Sequence, residues 1–185
     1  MDIAKGIEAG TTASSLLPRT APVPASWTVR QARDAYLAEN GFTLAAYDAP
    51  RTEASFFWFH FSVPNTPVHR WAIQMHDLHH VATGYGTDTV GEGEISAWEA
   101  RRGLRGLGLY VGSIVVTGAL VGFLLAPRRV AAAWRASSRR ASLFRDPSRY
   151  EELLAMTVGE LRAELGVAED GVFHGTRRLH PRAPS

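Results

Sequence analysis

The chain has no cysteine. That one absence excludes a disulfide framework, thiolate zinc sites, iron–sulfur clusters and a cysteine nucleophile. Lysine is almost missing, since Lys5 is the only one, so the basic character is carried by arginine. No strong charge bias exists either: 20 Lys+Arg against 18 Asp+Glu give a formal net charge of +2, too balanced for a dedicated nucleic-acid binder. No internal repeat is present. The first 25 residues lack a continuous apolar stretch and carry Asp2, Glu8 and the Pro-containing segment Leu17–Pro24. They read as a disordered leader with no secretory signal.

What is there suits one globular domain. The 185 residues are 45% hydrophobic and 21% charged, which excludes wholesale disorder. Ser26 or Thr28 can cap a first helix with Val29, Ala32, Tyr36 and Leu37 on one face, stopped by Gly41. Phe42–Ala46 and Phe56–Val63 read as strands that pair across Asp48–Glu53. Thr66-Pro67 opens a helix running to Thr83, with Gly84 at its end. Thr89 caps the next, which carries Glu92 to Arg102. Ser148-x-x-Glu151 and Thr157-x-x-Glu160 are capping boxes, and Gly166 closes the second helix. The expected fold is mainly α: a single-domain helical bundle over 26–166, with a long Gly-rich apolar central helix at 106–126. One small β-hairpin is expected near residues 42–63, and 167–185 read as a flexible tail.

The chemistry concentrates at His76-Asp77-Leu78-His79-His80. Residues four apart on a helix lie about 40° apart around its axis, so His76 and His80 can aim at one point. Asp77 lies about 60° beyond His80 on the same side. Glu92 joins them if the Gly84–Asp88 turn folds the second helix back antiparallel. Two histidines with one or two carboxylates suit a divalent metal (zinc, iron or manganese) and leave coordination positions open. In such a facial set Asp77 is either a fourth ligand or a proton acceptor. His79 and His69 are expected just outside the ligand set, supporting a ligand or facing a substrate. A solvent-exposed histidine cluster is the alternative reading of the same residues.

The pattern H-D-x-x-H, eleven residues (Val81 to Gly91), then E is intact as His76, Asp77, His80 and Glu92. With Thr83-Gly84-Tyr85, Gly91-Glu92, the following Gly-rich apolar helix and the Thr157–Gly166 segment, it resembles the Coq-four family of coenzyme Q (ubiquinone) biosynthesis. The resemblance covers roughly Pro64 to Gly166. It implies an all-helical, metal-binding, membrane-associated protein that handles a polyprenylated quinone precursor. That role is either oxidative decarboxylation at C1 of a prenylated benzoate or scaffolding of other quinone-biosynthesis enzymes. The metal ligands it implies are His76, Asp77, His80 and Glu92.

Gly106–Ala126 is an uncharged run of 21 residues, with Arg101, Arg102 and Arg105 before it and Arg128 and Arg129 after it. As a helix it is about 31 Å long, enough to cross a bilayer. It can equally be the buried centre of a bundle or line a channel for a polyprenyl tail, and the glycine content favours these two. Gly108/Gly112 and Gly118/Gly122 are G-x-x-x-G pairs, compatible with a homodimer. Arg128, Arg129 and Trp134 are the candidate lipid contacts, on a segment (127–149) with seven arginines and one acid. The expected location is peripheral, on the cytoplasmic face of a membrane, with an integral span as the alternative.

Two other function classes compete. His76-Asp77 is also the doublet of HD-type phosphohydrolases, a metal-dependent hydrolase reading with His60 or His69 upstream and Asp88 downstream as partners. A small membrane protein with incidental histidines is the third.

Overall fold

Thr28 opens the first helix by a mechanism written into its neighbours. Its hydroxyl accepts the Gln31 amide while the Gln31 side chain accepts the Thr28 amide, a complete capping box. The computed structural model describes residues 22–56, 59–137 and 142–172, with the side chains of 53–61 outside that description. Among the described residues it contains eight α-helices and a two-stranded antiparallel sheet, a mainly helical fold with a small hairpin. The leader up to residue 21 and the tail from 173 lie outside the described residues.

Helix α1 (Val29–Asn40) ends at Gly41, whose φ of 72° is the left-handed conformation that glycine adopts without cost. A single helical turn, α2 (Ala45–Asp48), precedes the strands β1 (Arg51–Phe56) and β2 (Phe59–Pro64). Helix α3 (Pro67–Thr83) has the expected boundaries: Thr66 accepts the His69 amide, Pro67 begins the helix, and Gly84 ends it at φ 82°. Helix α4 (Thr89–Arg102) folds back across α3, bringing both Glu92 and Glu99 to the His76–His80 stretch. Helices α5 (Gly108–Leu125) and α6 (Pro127–Ala136) pack on α4, and α7 (Tyr150–Ala155) and α8 (Val158–Leu165) close the bundle.

The core lies where α3, α4 and α8 meet, around the fully buried Met75, Leu78, Ile95, Trp98 and Leu161. Two devices tie the ends to it. Val29 N–H donates to Met156 and Val158 N–H to Trp27, binding the start of α1 to the start of α8. The buried Arg162 guanidinium donates to the carbonyls of Ala82, Val23 and Glu169, at 3.0, 2.9 and 2.6 Å, so its charge is satisfied by three separate segments.

Several expectations are corrected. Phe42–Ala46 is not a strand; β1 begins at Arg51 and pairs Arg51 with Pro64 through Phe56 with Phe59. Strands separated by two residues close the shorter loop, so the pairing shifts toward the C-terminus. Residues 45–48 form α2 instead and direct Tyr47 inward, where it is buried. Asp88, not Thr89, caps α4, its carboxylate accepting the Val90 and Gly91 amides. Ser148 caps no helix, because its hydroxyl and amide donate to Asp146, and α7 starts at Tyr150. The Thr157–Glu160 capping box and the Gly166 stop are present as expected.

The largest correction concerns the apolar helix. It is not the buried centre of the bundle, since only Val111, Val115 and Gly122 of α5 are buried. α4 occupies the middle instead, with nine buried residues; it packs on α5 and α6 and reaches the α3 histidines through Glu92 and Glu99. Gly118 and Gly122 explain how α5 approaches it. A Cβ on Gly122 would stand 2.5 Å from the Gly93 Cα, and one on Gly118 would stand 2.7 Å from the Ser96 hydroxyl. One G-x-x-x-G pair is thus used inside the chain.

Gly122→Ala should therefore destabilise the protein by about 1–3 kcal/mol through overpacking. Gly112→Ala, whose added Cβ meets nothing within 4 Å, should be neutral or stabilising by up to about 1 kcal/mol, the usual gain of alanine over glycine in a helix. Thermal or denaturant unfolding of the two variants checks the contrast.

Candidate metal centre

The α3–α4 hairpin places its donors by local chemistry. Gly91 sits against the turn so closely that a Cβ there would lie 2.2 Å from the Gly86 carbonyl oxygen. This close approach folds α4 back with Glu92, on its first turn, opposite His76 and His80. Ligand atoms of His76, His80 and Glu92 all lie within 4.8 Å of one another. His76 Nε2 is 3.0 Å from His80 Nε2 and 3.2 Å from Glu92 Oε2, and His80 Nε2 is 3.4 Å from Glu92 Oε1.

Those separations have a chemical meaning. Donors bound at about 2.0–2.1 Å to one ion, at octahedral to tetrahedral angles, stand about 2.9–3.4 Å apart. The tautomers agree. His80 Nδ1–H donates to the Tyr85 carbonyl at 3.0 Å, and His76 Nδ1–H donates to Glu99 Oε1 at 2.9 Å. Both Nε2 lone pairs therefore point at Glu92, and three acceptors converge on one spot. Only a proton or a cation relieves that convergence. The group could hold a metal ion, and its donors fit one.

Glu99 is the residue that sequence reasoning missed. It is completely buried, and its Oε1 accepts from His76 Nδ1 and, at 2.7 Å, from His79 Nδ1. Its other oxygen has no hydrogen-bond partner among the described residues. Burial opposes its ionisation, but His76 and then His79 outweigh that and hold its pKa well below the usual carboxylate range. Burial likewise opposes charge on His76, yet the Glu99 carboxylate, with Glu92, lifts its pKa well above the ordinary imidazole value. A histidine whose second nitrogen is fixed by a carboxylate is the arrangement that orients metal-binding imidazoles. The available signal was the seven-residue spacing of Glu92 and Glu99, which puts two acids on one face of α4.

The remaining expected residues separate from the donor group. Asp77 is buried and does not join it; its carboxylate accepts the Tyr47 hydroxyl at 2.5 Å. Burial raises the Asp77 pKa, and the Tyr47 hydrogen bond opposes the rise. Tyr36 stacks on His80, with ring centroids 5.5 Å apart. His79 is a fully buried second-layer residue, packed edge-on to Trp98 and Phe144, whose Nε2 faces the Leu143 amide. His69 is buried seven residues before His76, in edge contact with Tyr110. Arg129 is held in a two-pronged ion pair with Glu94, at 3.0 and 2.7 Å, so its charge is already partnered. Arg128 is exposed, and Trp134 is half-exposed beneath the Arg101 guanidinium. His60 lies on β2 with its side chain outside the described residues, as are His174 and His180 altogether.

Glu99→Gln keeps the shape and removes the charge that orients His76. It should weaken divalent-metal binding by about 10–100-fold while leaving the helical content intact. Competition against a chromophoric chelator, alongside circular dichroism, reads both quantities.

The chain matches no family model, no curated protein and no solved structure.

Proposed function

We propose that the protein is a metal-dependent, membrane-associated protein that acts on, or presents, a polyprenylated aromatic precursor of a quinone. Within that reading it is a catalyst of oxidative decarboxylation at C1 of a prenylated benzoate, or a scaffold for other quinone-biosynthesis enzymes. The observation that carries the proposal is the convergence of His76 Nε2, His80 Nε2 and Glu92 at metal-ligand spacing, with both Nδ1 atoms engaged elsewhere. The H-D-x-x-H-x(11)-E resemblance supplies the substrate class.

A bound divalent ion would supply Lewis-acid polarisation of a ring oxygen and stabilisation of the negative charge left as carbon dioxide departs. The chain's own residues do the rest. Glu99 holds the His76 ring, and the Tyr85 carbonyl holds His80. Asp77, fixed by Tyr47, is the carboxylate nearest in sequence to the ligands without being in the donor group, so we assign it the role of proton acceptor. Tyr36 covers one face of His80 and limits water on that side. The side chains of His76 and Glu92 stay partly open to solvent, at 24% and 40% exposure, so the donor group is approachable.

The phosphohydrolase reading is less favoured. Asp88 is used as the cap of α4, and neither Asp88 nor His69 belongs to the donor group.

Elemental analysis of purified protein beside His76→Ala and Glu92→Ala is the test. Near-stoichiometric zinc, iron or manganese in the wild type, lost in both variants, is expected. Retention of the metal in Glu92→Ala would overturn the assignment and return the hydrolase reading. Metal-loaded protein supplied with dioxygen as the oxidant and oxygen source should then consume a prenylated hydroxybenzoate, and Asp77→Asn should slow turnover by about 10²-fold or more while retaining the metal.

The raised His76 pKa sets a pH dependence. In metal-free protein the Glu99 and Glu92 carboxylates favour a proton on His76, where three acceptors converge. Metal uptake must expel it, so affinity rises with pH. Titration calorimetry in buffers of different ionisation enthalpy should show release of about one proton per ion near neutrality.

A further inference from the structure

Helix α5 presents an apolar face that no described part of the chain covers. Leu109, Val116, Leu120 and Leu124 project away from the buried Val111, Val115 and Gly122, and Leu109 and Leu124 are 96% and 81% exposed. By length and composition α5 could cross a membrane. Its packing argues against that. α5 runs antiparallel along α4, with Gly122 on Gly93 and Gly118 on Ser96. A crossing α5 would draw α4 into the hydrocarbon together with Glu92, Glu94, Glu99, Arg101 and Arg102. Ionised groups at that depth are strongly disfavoured.

Charge decides the remaining choice. Arg101 and the exposed Arg105 stand before α5, and the exposed Arg128 follows it. Trp134 lies half-exposed under Arg101, with 5.7 Å between guanidinium and ring. Because the packing on α4 disfavours a crossing, the positive charge at both ends of the helix is satisfied by one anionic surface that both ends meet. Tryptophan beside arginine suits the headgroup level of that surface.

We propose that α5 is an in-plane membrane-docking helix, its outer face seated at the headgroup–acyl boundary of an anionic bilayer without crossing it. The inference deepens the membrane part of the function proposed above and rests on it. An apolar face flanked by basic residues is the form in which helices lie on, rather than through, a bilayer.

The natural absence of cysteine makes the test clean. Full-length protein is floated with vesicles of phosphatidylcholine, with and without about 30% phosphatidylglycerol. Single cysteines at Leu109, Val116, Leu120 and Leu124, and a control at Ala168, carry an environment-sensitive fluorophore. The expected result is binding to the anionic vesicles, weakened by salt and released by carbonate. The four labels on α5 should report one similar shallow depth, with the control unchanged. Leu120→Glu with Leu124→Glu should reduce the bound fraction about tenfold or more, with thermal unfolding and metal content checked to show that the variant is folded.

Three results would overturn the proposal. One is failure to bind anionic vesicles. Another is carbonate-resistant binding with the middle labels deepest, which means a span. The third is a dimeric mass in lipid-free protein with the four labels already shielded, which means that a second copy covers the face. Flotation is repeated on His76→Ala protein, so failure of the metal reading and failure of docking are read separately.

Discussion

A carboxylate without solvent contact, Glu99, sits between two imidazoles, and the architecture around it follows from that constraint. Burying an ion costs several kcal/mol unless charge and hydrogen bonds compensate it. The compensation here comes from His76 and His79, which lie three residues apart on α3 and reach the same oxygen. Meeting both requires α4 to return and cross α3 at this stretch. A helix turn of slippage would strand the charge. The Gly84 stop, the Asp88 cap and the Gly86–Gly91 contact are the local means by which the chain makes that return. The same bond leaves His76 Nε2 facing Glu92, so the feature that fixes the helix pair also fixes the donor set.

How much of this is legible in the sequence depends on distance along the chain. Caps and stops are local chemistry, and Thr28, Thr66, Thr157, Gly41, Gly84 and Gly166 act where their types and neighbours place them. The meeting of His76, His80 and Glu92 is nearly local, since it needs helical spacing and one tight turn. Tyr47 on Asp77 is not, because it joins residues 30 positions apart through a turn that reads from its residue pattern as a strand. Glu99 lies between these cases. Its spacing from Glu92 was visible, but nothing in an acid on a helix face announces complete burial.

The apolar helix was misplaced for a related reason. An uncharged, glycine-rich run of helical length has the same composition whether protein or lipid surrounds it. Periodicity separates the cases only when one side is polar, and α5 has apolar residues all round. The deciding feature lay in α4, where Gly93 and Ser96 make a narrow face for the close approach of α5. A helix with nine buried residues, two acids among them, and small residues at its contacts is built for the middle of the bundle. α5 is left at the side.

Three consecutive residues of α4 join these two regions. Glu92 faces the histidines, Gly93 lies against the α5 backbone, and Glu94 is clamped by Arg129 of α6. Successive helical residues point about 100° apart, so one turn contacts three different partners. At Gly93 no side chain lies between the α4 and α5 backbones, and the donor Glu92 is its chain neighbour. Small residues at such a crossing transmit displacement, whereas a flexible side chain would dissipate it. The seat of α5 and the donor group therefore share one turn of α4, with Gly93 against the α5 backbone and Glu92 among the donors.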